Sequence, residues 1–268
     1  MFWIIGGDDR SFYTAQALQE AGCSIRTFGV PHMQDTEPNL PLDRVVLPFP
    51  SFSGGAIRAQ EPIPLSTLLP LLHKNSRIYG GLLGAQKEAL TARGAEDIDQ
   101  YDAEPLTTEN AVPTVEGALA LAISHSSMTL HGSACLVIGA GRIGFLLAQA
   151  LQKLGAHVTL SSRKTGQQAM TEALGMRSDE TGVYRHGLSY YDFLFNTVPA
   201  QVLTTAQLAE LPKSCLLTEL ASHSGFSMEE CKQLGLQTLS AGGLPGKYAP
   251  KTAGLSYAKQ ILEREASL

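Results

Sequence analysis

The chain has 268 residues and a formal charge of -5, with 44% hydrophobic and 17% charged residues. That length suits one large domain or two ordinary ones, and the apolar share supplies a core that disordered chains lack. No basic block interrupts the acidic balance, which speaks against nucleic acid or acidic membrane surfaces as partners, and no apolar run approaches the ~20 residues that span a bilayer.

The start, MFWIIGGDDR, lacks a basic segment, and its apolar run stops at Gly6. It reads as a first strand rather than a signal peptide, so the protein is expected in the cytoplasm. Further strands are predicted at Ser24–Phe28, Arg44–Leu47, Arg77–Gly80 and Asp97–Tyr101. Helices are predicted at Ser11–Gly22, Leu65–His73 and Ala85–Arg93. Strands alternating with helices imply a parallel sheet, because each crossover needs an element to cover the sheet face. Two turn-rich stretches, Pro31–Pro41 and Phe49–Pro64, read as long loops. Ser51 and Ser53 lie just past a strand end, where ligands of α/β folds usually bind.

Pro113 in NAVPTVEG marks a helix start, with polar Asn110 shortly before it. The residues that follow are small and apolar on nearly every side, so the helix Pro113–His125 is expected to be buried between two domains. The boundary falls near residue 107. Residues 1–107 form a Rossmann-like, flavodoxin-like domain. Residues 108–268 hold the helix and a nucleotide-binding Rossmann domain, with the C-terminal helix packing back near the cleft. The fold class is α/β, with two parallel sheets joined by a buried interdomain helix.

In the second half, strands are predicted at Ser133–Ile138, His157–Ser161, Asp192–Phe195, Cys215–Leu220 and Leu236–Ser240. Helices are predicted at Arg142–Leu154, Gly166–Leu174, Thr204–Leu211, Ser227–Leu234 and Thr252–Ala266. The first strand runs into Gly139-Ala140-Gly141-Arg142-Ile143-Gly144. A lone G-x-G-x-x-G is a weak signal, but this one follows an apolar strand and opens an amphipathic helix. Gly139 permits the tight turn, Gly141 lets the backbone approach a pyrophosphate, and Gly144 lets helix and strand pack closely. The helix N-terminus offers N–H groups and a positive dipole end to the phosphates.

The next strand ends in Ser161-Ser162-Arg163-Lys164, where an NAD site would carry a carboxylate. Ser162, Arg163 and Lys164 suit a 2′-phosphate instead, so NADP is expected and NAD is the alternative. Asn196, Thr197, Val198 and Pro199 form a turn at another strand's carboxyl end, on the nicotinamide side, and Ala221 follows the next strand. The four cysteines, Cys23, Cys135, Cys215 and Cys231, have no ligand spacing and read as small buried hydrophobes; no metal site is expected.

Taken together, IIGGDDR, NAVPTVEG, GAGRIG, NTVP and GGLPGKYAPKTAG, in that order, resemble the dipicolinate synthase A-subunit family of spore-forming bacteria. The resemblance covers essentially the whole chain; PTVEG and GLPGKYAPKTAG carry most of its specificity. It implies an oxidoreductase that converts dihydrodipicolinate to dipicolinate with NAD(P)+, together with the B subunit of dipicolinate synthase, in the sporulating mother cell. Such an oxidation removes a hydride and a proton, and aromatisation supplies driving force, so positioning matters more than a strong base. The two substrate carboxylates call for cations or oriented donors. Arg10 and Lys251 are the best-placed cations, each with a bland alternative as a solvated residue. Ser53 and Thr114 can donate. Glu116 is either a proton acceptor or an ordinary first-turn helix carboxylate. Related architectures would be a 2-hydroxyacid dehydrogenase or a methylenetetrahydrofolate dehydrogenase. The non-enzyme alternative is a regulatory protein that binds NADP. Self-association into a homo-oligomer is expected.

Overall fold

A computed structural model describes residues 1–92, 95–99 and 104–267. Arg93, and Gln100 with Tyr101, at the ends of two predicted elements, lie outside the described residues. The chain divides into two compact units, Met1–Asn110 with Pro245–Leu268, and Ala111–Leu244.

The first unit opens with β1 (Phe2–Ile5), α1 (Asp9–Glu20), β2 (Ile25–Phe28) and β3 (Arg44–Val46). A small antiparallel hairpin, β4 (Phe52–Ser53) and β5 (Ala56–Ile57), interrupts the predicted loop. Then come β6 (Arg77–Gly80), α2 (Gln86–Thr91) and β7 (Glu96–Asp99). The sheet runs β2-β1-β3-β6-β7, all parallel, the flavodoxin-like order. Period-two alternation divides its side chains between two cores. Trp3, Ile5, Val45, Leu47 and Ile78 enter one, and Phe2, Ile4, Val46 and Tyr79 the other. Each fully buried aliphatic side chain contributes roughly 1.5–3 kcal/mol.

The predicted helix Leu65–His73 is instead two short 3-10 turns, Leu65–Thr67 and Leu69–Leu71. Pro70 lies within the second turn and has no N–H to donate to an i-4 carbonyl. The bonds that form are i-3, Leu68 N to Leu65 O and Leu71 N to Leu68 O.

Helix α3 (Glu104–His125) begins in the first unit and continues into the second. Pro113 therefore lies inside this helix rather than at its start. Glu116 is more than three turns in, so a first-turn dipole cannot explain it. Ala111, Val115, Ala118 and Ala122 are buried, whereas Val112, Glu116 and Ile123 are exposed.

The second unit continues with β8 (Ala134–Ile138), α4 (Arg142–Lys153), β9 (His157–Ser161), α5 (Thr165–Ala173) and β10 (Arg177–Asp179). Then come β11 (Phe193–Asn196), α6 (Thr205–Glu210), β12 (Leu216–Glu219), α7 (Met228–Gln233) and β13 (Gln237–Ser240). Its sheet runs β10-β9-β8-β11-β12-β13, all parallel, the dinucleotide-binding Rossmann order. Strand β10 was not predicted. Cys135, Cys215 and Cys231 are buried and free, and burial pushes the first two thiols up to about 12 and the third to about 11. They behave as small hydrophobes.

After β13 come α8 (Leu244–Tyr248) and α9 (Pro250–Ala266). Division at residue 107 groups α9 with the second half, but α9 packs on α1. Tyr257, Ala258 and Ile261 share a core with Ala15 and Leu18. At Gly254 a Cβ would come within 2.5 Å of the Arg10 carbonyl oxygen, so the contact requires glycine there. Among the described residues no helix is long and apolar enough to cross a membrane, and no group of three or more His, Cys, Asp or Glu is placed to hold a metal ion.

Candidate functional site

In the second unit, Gly139 takes φ +101, in the region that L side chains avoid, and turns the chain from β8 toward α4. A Cβ at Gly144 would lie 1.7 Å from the Gly139 carbonyl oxygen, so helix and turn meet backbone to backbone. Gly141 is the N-cap of α4; it supplies no capping side chain, and a Cβ there would meet nothing within 4 Å. The space beside the first turn of α4 is therefore open at Gly141, where a helix presents its first N–H groups, and no acidic residue stands in that turn. A pyrophosphate fits that cradle, since it would cap those N–H groups and sit on the positive end of the dipole. Ala140 is buried, Arg142 exposed and Ile143 half-buried.

At the end of β9, Ser162 is buried and Arg163 and Lys164 are exposed. The Ser162 hydroxyl donates to Gln167 Oε1 and accepts from Lys164 N at 3.1 Å. Gln167 Nε2 in turn donates to the Ala140 carbonyl at 2.8 Å. Ser162 and Gln167 thus lock the fingerprint turn to the end of β9, and the groups left for an anion are Arg163 and Lys164. Asp179, in register with Ser161, is buried with Arg185 N on its carboxylate at 3.3 Å. Burial pushes that carboxyl up against the opposing hydrogen bond and nearby cations. Its side chain is 3% exposed and pairs with Arg185 Nε at 3.7 Å, so it is not presented at the surface as a ribose 2′-OH acceptor would be.

The turn after β11 is held from within. Thr197 Oγ1 donates to the Ile138 carbonyl at 2.9 Å, while the Asn196 amide bonds both ends of Val198. Asn196 Nδ2 also reaches Glu219 Oε1 at 2.8 Å. Glu219, buried at the end of β12, further accepts from Ala221 N at 2.9 Å, Ser224 Oγ at 3.2 Å and Gly225 N at 2.8 Å. Four donors around one carboxylate fasten the turn 196–199 to the loop 221–225. Pro199 is exposed. Glu219 was missed on the sequence, although an acid closing the apolar run CLLTEL was a usable signal. Glu219→Gln would replace an acceptor with a donor facing these N–H groups. The expected loss is about 1–2 kcal/mol, read as a lower thermal midpoint; an unchanged midpoint would show that the carboxylate does not fasten the loops.

In the first unit, Asp8 caps α1 by accepting from Arg10 N at 3.1 Å, and holds the Arg10 guanidinium through Nε at 2.8 Å and Nη2 at 2.7 Å. Burial pushes the Asp8 carboxyl up, but the Arg10 hydrogen bonds and charge, with Arg58 behind them, hold it below its ordinary range. This pair borders a cavity of about 430 Å³ lined also by Gly7, Pro48, Pro50, Arg58 and Gly246. Gly246 belongs there for steric reasons: a Cβ would fall 2.9 Å from Asp8 Oδ2 and 3.0 Å from Arg10 Nε. His32, at φ +60, pairs with Asp9 at 3.2 Å on the same cavity. Ser51 is fully buried and spends its hydroxyl on the Pro48 carbonyl. Ser53, on the β4–β5 hairpin, is exposed and does not line the cavity. Lys251 is exposed in the first turn of α9. Thr114 is half-buried on α3, in the second unit. Asp8 and Arg58 were missed on the sequence; the N-cap pattern Asp8 before α1 was legible, whereas nothing local marks Arg58.

Two parallel sheets in these strand orders, the second with a glycine cradle at the first turn, define a two-domain Rossmann-type dehydrogenase fold. The fold extends to transhydrogenase from Sinorhizobium meliloti, with TM-score 0.70 at 12% identity over 98% of this chain and 84% of that one. No family model matches the chain. In sequence it is 28% identical over 269 residues to the dipicolinate synthase A subunit of Bacillus subtilis strain 168, covering 94% of this chain and 91% of that protein. The crystal structure of the dipicolinate synthase A subunit from Bacillus halodurans superposes with TM-score 0.91 at 26% identity, over 99% of this chain and 97% of that one. The chain is a relative of the dipicolinate synthase A subunit, in sequence and in fold.

Proposed function

We propose that this chain oxidises dihydrodipicolinate to dipicolinate with NADP+, working with a second subunit in the cytoplasm of a sporulating mother cell. The observation that carries the reading is likeness to the dipicolinate synthase A subunit along nearly the whole chain, joined to an intact glycine cradle at Gly139–Gly144. Bound NADP+ would accept the hydride that leaves the dihydropyridine ring. The second unit holds the cofactor: the first-turn N–H groups of α4 bind pyrophosphate, and Arg163 and Lys164 bind the 2′-phosphate. Asn196, Thr197, Val198, Pro199 and Ala221 shape the nicotinamide end through the Glu219 lock, so they act mainly by backbone position. The first unit supplies substrate groups, with Arg10 at its cavity as one carboxylate partner; Lys251, exposed at the start of α9, does not line that cavity. Thr114 is a donor, and exposed Glu116 takes the proton lost as the ring becomes aromatic. Ser53, away from the cavity, has no part in this arrangement.

The experiment follows NADPH and dipicolinate formation together, from freshly generated dihydrodipicolinate, by the chain alone and with its second subunit. Equal yields of both products, faster with NADP+ than with NAD+, are expected. Arg163→Ala should weaken NADP+ by roughly tenfold or more, the effect of ~1.4 kcal/mol, and leave NAD+ nearly unchanged. No product in either mixture would favour a regulatory, nucleotide-binding role instead. An equal effect of Arg163→Ala on both nucleotides would remove the 2′-phosphate assignment.

A further inference from the structure

The geometry points to the cavity of the first unit as a seat for a planar dicarboxylate, gripped at one carboxylate by the outer edge of Arg10 and at the other by Arg58. This rests on the proposed reaction for the identity of the ligand, a pyridine-2,6-dicarboxylate or its dihydro form.

The cavity lies at the carboxyl ends of β1 and β3, central neighbours in the order β2-β1-β3-β6-β7. In open parallel sheets the chain leaves such a pair of strands in opposite directions, and the resulting crevice is where ligands bind. Its floor is held by backbone bonds that also anchor Arg58: Gly7 N donates to the Arg58 carbonyl at 2.6 Å, and Arg58 N to the Ser51 carbonyl at 3.0 Å.

Arg10 is not a free cation, because Asp8 occupies one edge of its guanidinium. A guanidinium carries five N–H donors, and this pairing uses Nε–H and one Nη2–H. Three remain, on the edge that Asp8 does not cover, and the Asp8 clamp fixes their direction. Arg10 is therefore a preorganised donor of directed hydrogen bonds rather than a source of net charge. Arg58 has the opposite character. Its side chain is exposed and forms no ion pair among the described residues, yet it lines the same cavity and its charge reaches Asp8. It brings a positive charge that no ion pair among the described residues offsets. Asp9, the other acid on the cavity, is turned to His32. Gly246 completes the wall, since a Cβ there would press on the Asp8–Arg10 pair at 2.9 Å from Asp8 Oδ2 and shift the clamp. That gives the GLPGKYAPK run a steric purpose at this cavity.

The test is calorimetric titration of dipicolinate into the full chain without nucleotide, beside picolinate, which lacks the second carboxylate. Wild type should prefer dipicolinate by about tenfold or more, a difference of ~1.4 kcal/mol. Arg58→Ala should abolish that preference while leaving picolinate affinity within about twofold; Arg58→Lys should restore part of it. A merely structural role for Arg58 would weaken both ligands alike, and that result would overturn the proposal. So would an unchanged preference in Arg58→Ala, or a wild type that binds neither ligand. Failure of the proposed reaction is seen separately, as absence of dihydrodipicolinate oxidation by a wild type that still discriminates the two acids.

Discussion

Gly144→Ala is expected to cost the second unit about 3 kcal/mol and its nucleotide, whereas Gly141→Ala costs the nucleotide alone. The two glycines are three residues apart in one motif, but their surroundings differ in kind. A Cβ on Gly144 would lie 1.7 Å from the Gly139 carbonyl oxygen and 2.9 Å from its carbon. No rotamer change relieves a clash with backbone, so α4 must move off β8, and overpacking of this sort reaches the upper end of its usual cost. Gly139 cannot yield easily, because its φ of +101 and the Thr197 and Val198 side chains beside it leave one conformation. At Gly141 the backbone is ordinary for any residue, φ -84, and the space is empty to 4 Å. A methyl group there meets only a ligand. Thermal unfolding and NADPH fluorescence titration separate the cases. Gly144→Ala should lower the midpoint by on the order of 10 °C and lose measurable nucleotide binding. Gly141→Ala should keep its midpoint and bind at least about tenfold more weakly. Undiminished affinity in Gly141→Ala would mean that the free space beside α4 is not where the phosphates lie.

This pair also shows why one part of the site was legible in the sequence and another was not. The fingerprint is local: a turn, a close approach and a helix start within six residues, each demanding glycine for its own steric reason. The same holds for most strands, whose apolar runs such as FWII and ACLVI fill two cores by alternation. Strand β10, Arg-Ser-Asp, has no such run; it exists because the edge of β9 offers it backbone partners. Pro113 misled for a related reason. Taken alone it starts a helix, but the preceding residues Glu104–Val112 are already helical, and the ladder loses only the one N–H that proline lacks. Long-range pairings were the least legible. Glu219 gathers donors from two segments, and α9 rejoins α1 across more than two hundred residues. Neither is encoded at short range. Arg10 lies between these extremes: its place beyond a strand end was readable, its neutralisation by Asp8 was not.

Glu265→Ala, near the end of α9, is expected to destabilise the first unit by about 3 kcal/mol at neutral pH. The carboxylate accepts from Arg44 Nε, from Arg77 Nη1 at 3.1 Å and from the Tyr79 hydroxyl. Arg44, Arg77 and Tyr79 lie on the neighbouring strands β3 and β6, so one acid ties α9 to two strands. Its side chain is 15% exposed, and Tyr79 is fully buried. Alanine would leave a buried phenol without its acceptor and two guanidiniums crowded together, which costs more than the lost attraction itself. Burial alone would push the Glu265 carboxyl up; the Tyr79, Arg44 and Arg77 hydrogen bonds outweigh it and hold the carboxyl below its ordinary range. Burial first, and then the same contact, push the Tyr79 phenol up. A depressed carboxyl stabilises the fold above its unfolded pKa of about 4.3, and that contribution is lost as pH falls through the lower folded value. The gap in thermal midpoint between wild type and Glu265→Ala should therefore be full at pH 7 and close progressively below about pH 4. Glu265→Gln, which keeps an acceptor but no charge, should fall between the two at neutral pH and show a flatter acid limb. A gap that stayed constant from pH 7 to pH 3 would mean that packing of the side chain, rather than its charge, holds α9 to the sheet.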